Sequence, residues 1–222
     1  MDREVIEAIY QRRFKAGGSA MSPHMPTLRA LAEECETAVE FGVRRCMSTI
    51  ALLAGGVSLW SFDIDWPERY EWIRGKIERA AGGKWHPMRV SSIAPVAVLP
   101  LDLLLHDSLH NYDHVKAELD LHADSISRFL VFHDTVSHGK HGQSDSCGEP
   151  DPDIRGIMPA IKELMERDPT WHVKAHYKNS AGLMVLERRT VSSEVCAWEG
   201  CSNPATRSMP FKGETVRICG GH

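Results

Sequence analysis

The chain has 222 residues, of which 42% are hydrophobic and 25% charged, with 26 Lys and Arg against 30 Asp and Glu for a net charge of −4. That length allows one ordinary domain with a core of its own plus a small appendage. The acidic balance excludes a protein that coats nucleic acid by charge alone. No run of about eighteen apolar residues occurs, so no membrane span is expected. Met1-Asp-Arg-Glu-Val lacks the basic-then-apolar pattern of a signal peptide, and six cysteines are too few for a disulfide scaffold, so a reducing, cytoplasmic setting is expected.

Residues 3–15 predict an amphipathic helix with Val5, Ile6, Ile9 and Phe14 near one face, ended by Ala16-Gly-Gly-Ser-Ala. Thr27 is placed to cap a second helix carrying Leu28, Leu31 and Ala32. Strands and helices then alternate. Ala38–Phe41 predicts a strand, Ser48–Leu53 a helix, Val57–Ile64 a strand with period-two alternation, and Pro67 to about Ala81 a helix stopped by Gly82-Gly83. Met88–Ile93 predicts a third strand, and Leu101–Leu105 and Phe129–Phe132 read as strands buried on both faces, separated by a helix from Tyr112 to about Ser127. A helix over Ile157–Arg167 precedes two strands, Trp171–Tyr177 and Leu183–Leu186, which flank the turn residues Asn179-Ser180-Ala181-Gly182 and predict a closing antiparallel hairpin. The alternation implies an α/β sandwich with a mainly parallel sheet, and such sheets bind ligands at the carboxyl ends of their strands.

Those strand ends are rich in chemistry. The first gives Glu40-Phe-Gly42 and, a few residues on, Cys46-Met-Ser48-Thr49. The second gives Asp63, the fourth His106-Asp107-Ser-Leu-His110, the fifth His133-Asp134. An acidic residue about twenty positions past a glycine turn suits the two hydroxyls of a ribose. The chain has no G-x-G-x-x-G, which favours a nucleoside ligand without a pyrophosphate. His138 and His141 fall in a glycine-containing loop and read as solvated.

Val39-Glu-Phe-Gly-Val-Arg-Arg-Cys-Met-Ser-Thr49 resembles motif I of class I S-adenosylmethionine (SAM) methyltransferases, in its E-x-G-x-x-x-G-x-S form, with Cys46 where the second glycine falls. Asp107-Ser-Leu-His-Asn-Tyr-Asp-His-Val115 resembles the D-x-x-H-x-Y-x-x-V stretch of the branch containing small-molecule and sugar O-methyltransferases, and Phe132-His-Asp-Thr135 is similar to that branch's fifth-strand end. The resemblance covers roughly residues 27–188. It implies a Rossmann-like methyltransferase fold and transfer of a methyl group to a hydroxyl of a small molecule or sugar. It also implies a donor pocket lined by Glu40, Gly42, Ser48 and Asp63, with Ser91 and Ser92 near the adenine. His110 takes the general-base position by the same resemblance, which suits imidazole, the side chain whose charge changes nearest neutral pH. Asp107 and Asp134 would hold a divalent cation such as Mg²⁺ or Mn²⁺. Where the branch carries a further acidic residue, this chain carries His133. Strand alternation points His133 away from Asp134; a His133 that did reach the ion would favour Mn²⁺ or Fe²⁺ over Mg²⁺.

After Arg189 the character changes. Cys196-x4-Cys201 and Cys219-x2-His222 offer four ligands suited to tetrahedral Zn²⁺, around two short alternating stretches, 205–209 and 214–218, so a small zinc knuckle or ribbon with a structural ion is expected. The organisation expected is an N-terminal helix and linker at 1–26, a methyltransferase domain at 27–189 and a zinc-binding tail at 190–222. Two alternatives stay open: a decayed methyltransferase fold acting as a binding or adaptor protein through its tail, and a nucleic-acid methyltransferase, which the net charge disfavours. The expected partner is a small-molecule acceptor, with no membrane; self-association is left open.

Overall fold

The computed structural model describes residues 1–94, 101–145 and 148–189, together with the backbone of 207–211 and 214–218. Two units separate, Met1–Arg188 and Arg189–His222. Among the described residues no helix is long and apolar enough to cross a membrane.

The first unit is built on β1 (Thr37–Phe41), β2 (Ser58–Asp63), β3 (Trp85–Arg89), β4 (Leu101–His106), β5 (Ile126–His133), β8 (Trp171–Tyr177) and β9 (Leu183–Arg188). They form one seven-stranded sheet in the order β3-β2-β1-β4-β5-β9-β8. The first five are mutually parallel, and β9 runs antiparallel to both β5 and β8. The chain reverses direction across the sheet between β1 and β4, so the loops after these strands open a crevice there. A short hairpin of β6 (His141–Gly142) and β7 (Asp151–Arg155), which the residue pattern does not announce, sits between β5 and α6 (Met158–Arg167).

The continuous apolar runs of β4 and β5 are explained by helices on both faces. Leu103, Leu105, Phe129 and Val131 join one core with α1 (Arg3–Ala16), α2 (Met25–Glu33), α3 (Met47–Gly55) and α4 (Glu71–Ala81). Leu104, Leu130 and Phe132 turn the other way, to α5 (Tyr112–His122) and α6. Period-two alternation thus divides one apolar strand between two cores. Gly82 ends α4 at φ 55°, a left-handed stop that suits glycine.

Several boundaries differ from the expectation. On α1 the buried residues are Ile6 and Tyr10, while Val5 and Phe14 are exposed. Thr27 does not cap α2, which begins two residues earlier with Pro26 in its first turn. Helix α3 starts from Cys46 rather than Ser48. Strand β3 begins at Trp85, because burying that indole opposite Leu59 outweighs the apolar look of 90–93. The prolines are tolerated where they fall: Pro87 lies on an edge strand. Helix α5 gives way after His122 to a 3-10 turn, Ala123–Ser125, because Ile126 already pairs with Leu101.

In the second unit, β10 (Arg207–Phe211) and β11 (Glu214–Ile218) pair antiparallel, with Arg207 opposite Ile218. Cys196, Cys201, Cys219 and His222 lie outside the described residues.

Candidate methyl-transfer site

The loops after β1 and β4 extend the ladder by one rung each. Gly42 N donates to Phe62 O at 2.8 Å, and Asp107 N donates to Phe41 O at 2.9 Å. Gly42 sits at φ 88°, and a Cβ there would lie 2.0 Å from the Asp107 carbonyl oxygen. Only glycine permits the two loops to touch. Cys46, where the resemblance puts a second glycine, does take a left-handed backbone at φ 56°. Its side chain is fully buried, and burial pushes the thiol up to about 12, far from a reactive thiolate.

Glu40 is fully buried. Its Oε1 accepts from Thr49 Oγ1 and Ser61 Oγ, each at 2.6 Å, while Trp85 Nε1 donates to Ser61 Oγ at 2.7 Å. Oε2 makes no hydrogen bond. Burial raises the Glu40 carboxyl to about 7 against the pull of the Ser61, Thr49 and Ser48 hydroxyls. Ser48 is thus buried and turned to Glu40. Asp63 is used partly by the protein itself: its Oδ2 accepts from Val43 N at 2.7 Å and Arg44 N at 3.1 Å, and its Oδ1 from Asp65 N at 2.9 Å. A carboxylate has about four lone-pair positions, so room for a ligand hydroxyl remains on Oδ1. Ser92 is buried with its Oγ 3.2 Å from His114 Nε2 and its carbonyl 2.7 Å from His122 Nε2, and Ser91 is half-buried.

At the ends of β4 and β5 four side chains converge. One ligand atom from each of Asp107, His110, His133 and Asp134 lies within 4.8 Å of the others. His133 Nδ1 is 2.9 Å from Asp107 Oδ1 and 3.0 Å from Asp134 Oδ2. His110 Nε2 is 3.5 Å and 3.3 Å from the same two oxygens, yet makes no well-aligned hydrogen bond. Strand alternation would separate His133 from Asp134. The structure overrides it with a left-handed backbone at Asp134, φ 58°, which returns the carboxylate to the side of His133. Ser137 Oγ donates to Asp134 Oδ1 at 2.5 Å and holds it there. Asn111 supplies the turn that presents His110, its side chain capping α5 by accepting from His114 N at 2.9 Å.

The electrostatics follow from this convergence. Burial disfavours charge on His133, but the carboxylates of Asp107 and Asp134 outweigh it and raise the imidazole to about 10. Burial likewise opposes charge on both carboxylates, and the neighbouring imidazoles win, holding Asp107 and Asp134 below the ordinary Asp range.

Three neighbours were not expected at this site. His138, expected in solvent, is buried and stacks on His110 at 5.3 Å between ring centroids. His24, from the segment before α2, sits fully buried, edge-on to His133 at 5.6 Å. Beneath the loop, buried Glu118 bonds His106 Nδ1 at 2.8 Å and accepts from Ser108 Oγ at 2.6 Å, with His114 Nε2 at 3.1 Å. The signal for this last group was in the sequence: His114, Glu118 and His122 recur at helical spacing on α5, beside Val115 and Leu119 on its buried side.

No family model matches the sequence, and no curated protein sequence does. Solved structures do match. A 1,6-didemethyltoxoflavin-N1-methyltransferase of Burkholderia thailandensis, seen with its acceptor and S-adenosylhomocysteine, is 16% identical with a TM-score of 0.57 over 84% of this chain and 86% of its own. The fold is that of class I SAM-dependent methyltransferases. An O-methyltransferase of Bacillus cereus, in complex with S-adenosylhomocysteine, is 17% identical at TM-score 0.56 over 84% and 91% of the two chains. A Podospora anserina methyltransferase, also bound to S-adenosylhomocysteine, is 14% identical at 0.57 over 84% and 86%.

Proposed function

We propose that the chain is a SAM-dependent methyltransferase acting on a hydroxyl of a small molecule or sugar. The observation that carries this reading is the meeting of Asp107, His110, His133 and Asp134 at the crevice of a sheet whose structural neighbours hold S-adenosylhomocysteine at low identity. The donor is a sulfonium cation with an ammonium group, and Glu40 and Asp63 give its pocket negative character, Glu40 with an oxygen free to accept. Because the methyl is already activated, the protein's task is mainly alignment and removal of the acceptor proton.

An imidazole nitrogen 2.9 and 3.0 Å from one oxygen of each of two carboxylates suits a divalent cation, so Asp107, Asp134 and His133 would hold one. Such an ion would lower the pKa of an acceptor hydroxyl. His110, three residues past Asp107 and on the rim of the same cluster, takes the proton. The tail is assigned a structural Zn²⁺ held by Cys196, Cys201, Cys219 and His222.

The test is calorimetry with SAM together with methyl transfer from it. Asp63→Ala should lose about 1–3 kcal/mol of SAM binding. His110→Ala should bind SAM normally and turn over about 10²–10⁴-fold more slowly. The engagement of Asp63 by Val43 N and Arg44 N, and the side chain at Cys46, favour one second reading, a decayed binding scaffold. Wild-type protein that takes up no SAM would decide for it.

A further inference from the structure

We propose, resting on the cation reading above, that the centre at β4 and β5 is a mixed nitrogen–oxygen site in which His133 Nδ1 is a direct ligand, so that it selects Mn²⁺ or Fe²⁺ over Mg²⁺. The argument is geometric. His133 is nearly inaccessible, and its Nδ1 faces Asp107 Oδ1 at 2.9 Å and Asp134 Oδ2 at 3.0 Å at once. A ring nitrogen carries at most one hydrogen, which cannot point well at both oxygens. Atoms bound at about 2.0–2.2 Å and at right angles around one ion are about 3 Å apart, the spacing found here for both pairs that involve Nδ1, 2.9 Å to Asp107 Oδ1 and 3.0 Å to Asp134 Oδ2.

Two further features fit a cation. The left-handed backbone at Asp134 turns its carboxylate toward Nδ1, where an extended strand would turn it away. His110, itself buried, aims Nε2 at the same two oxygens from 3.3 and 3.5 Å without a well-aligned hydrogen bond. An imidazole ligand is of intermediate softness. It raises affinity for Mn²⁺ and Fe²⁺ and adds little for Mg²⁺, which prefers oxygen.

The experiment uses the full chain with its tail supplied with zinc, loaded with Mn²⁺ and followed by pulsed electron paramagnetic resonance. Wild-type protein should show ¹⁴N modulation from a coordinated imidazole. His110→Ala should keep it, since that residue is assigned the proton and not the metal, and His133→Asp should lose it. By calorimetry, His133→Asp should also narrow the preference for Mn²⁺ over Mg²⁺ by about tenfold or more. Absence of ¹⁴N modulation in Mn²⁺-loaded wild type, failure of Mn²⁺ to bind, or an unchanged Mn²⁺/Mg²⁺ ratio in a folded His133→Asp protein would each overturn the proposal. S-adenosylhomocysteine binding, measured on the same samples, separates this failure from failure of the methyltransferase reading: a protein that binds the nucleoside and shows no nitrogen ligand loses only the mixed site.

Discussion

Glu40 shows how one buried side chain sets a pH dependence. Its carboxyl is raised from 4.5 to about 7 by burial. The folded protein therefore keeps a proton that the unfolded chain releases. The stability from this group is present below about pH 4.5 and is lost as pH rises through about 7. Glu40→Gln keeps an oxygen for Thr49 and Ser61 but cannot ionise. In urea unfolding, wild type should lose on the order of 3 kcal/mol relative to that variant between pH 4.5 and 8. A constant difference across that range would contradict the buried-acid assignment. Residue identity alone could mark Glu40, Asp107 and Asp134 as chemistry at strand ends. It could not show that Asp134 adopts φ 58°, since a non-glycine left-handed residue is set by its surroundings. That is why alternation misplaced His133, and why His24, far off in the chain, could not be tied to it.

Helix α5 shows the same limit for an element. Its start at Tyr112 is where the sequence puts it, and the structure shows why: Asn111 caps it, a residue strongly suited to that position. Its interior hides Glu118, fully buried and held below the ordinary Glu range because its hydrogen bonds with His106 and His114 outweigh the cost of burial. Glu118 also anchors Ser108, the residue after Asp107. Replacing it by Leu strands His106, Ser108 and His114 without their partner. Removal of one member of such a buried network costs about 3–5 kcal/mol. Glu118→Leu should therefore lower the urea midpoint strongly, and a shift within error would show that the network carries no stability. The strands were legible where apolar runs are long, as in β4 and β5. Strand β3 slid by several residues, because a short edge strand is fixed by one buried indole, Trp85, rather than by a pattern.

At the scale of the molecule, the alternation of strands and helices and the closing hairpin were readable, since local periodicity and short connections fix both. The strand order was not, because it depends on contacts between residues far apart in the chain. The two apolar layers of the first unit are built, among the described residues, within 1–188. Cys201→Ser should accordingly release about one zinc per chain while the thermal midpoint of the first unit stays unchanged. Protein purified without chelator and free of zinc would refute the tail assignment, and a collapse of the first unit would refute its independence.

The meeting of Gly42 with the Asp107 carbonyl makes the two halves of the crevice a single mechanical joint. A bound donor would press on the loop that carries Gly42, and a cation would pull on the side chain of Asp107, across the same peptide contact. Occupancy of one half then biases the other, and thermodynamic reciprocity requires equal factors in both directions. Mn²⁺ should tighten SAM by about fivefold or more, and SAM should tighten Mn²⁺ by the same factor. Donor affinity indifferent to the ion would mean that the joint transmits nothing.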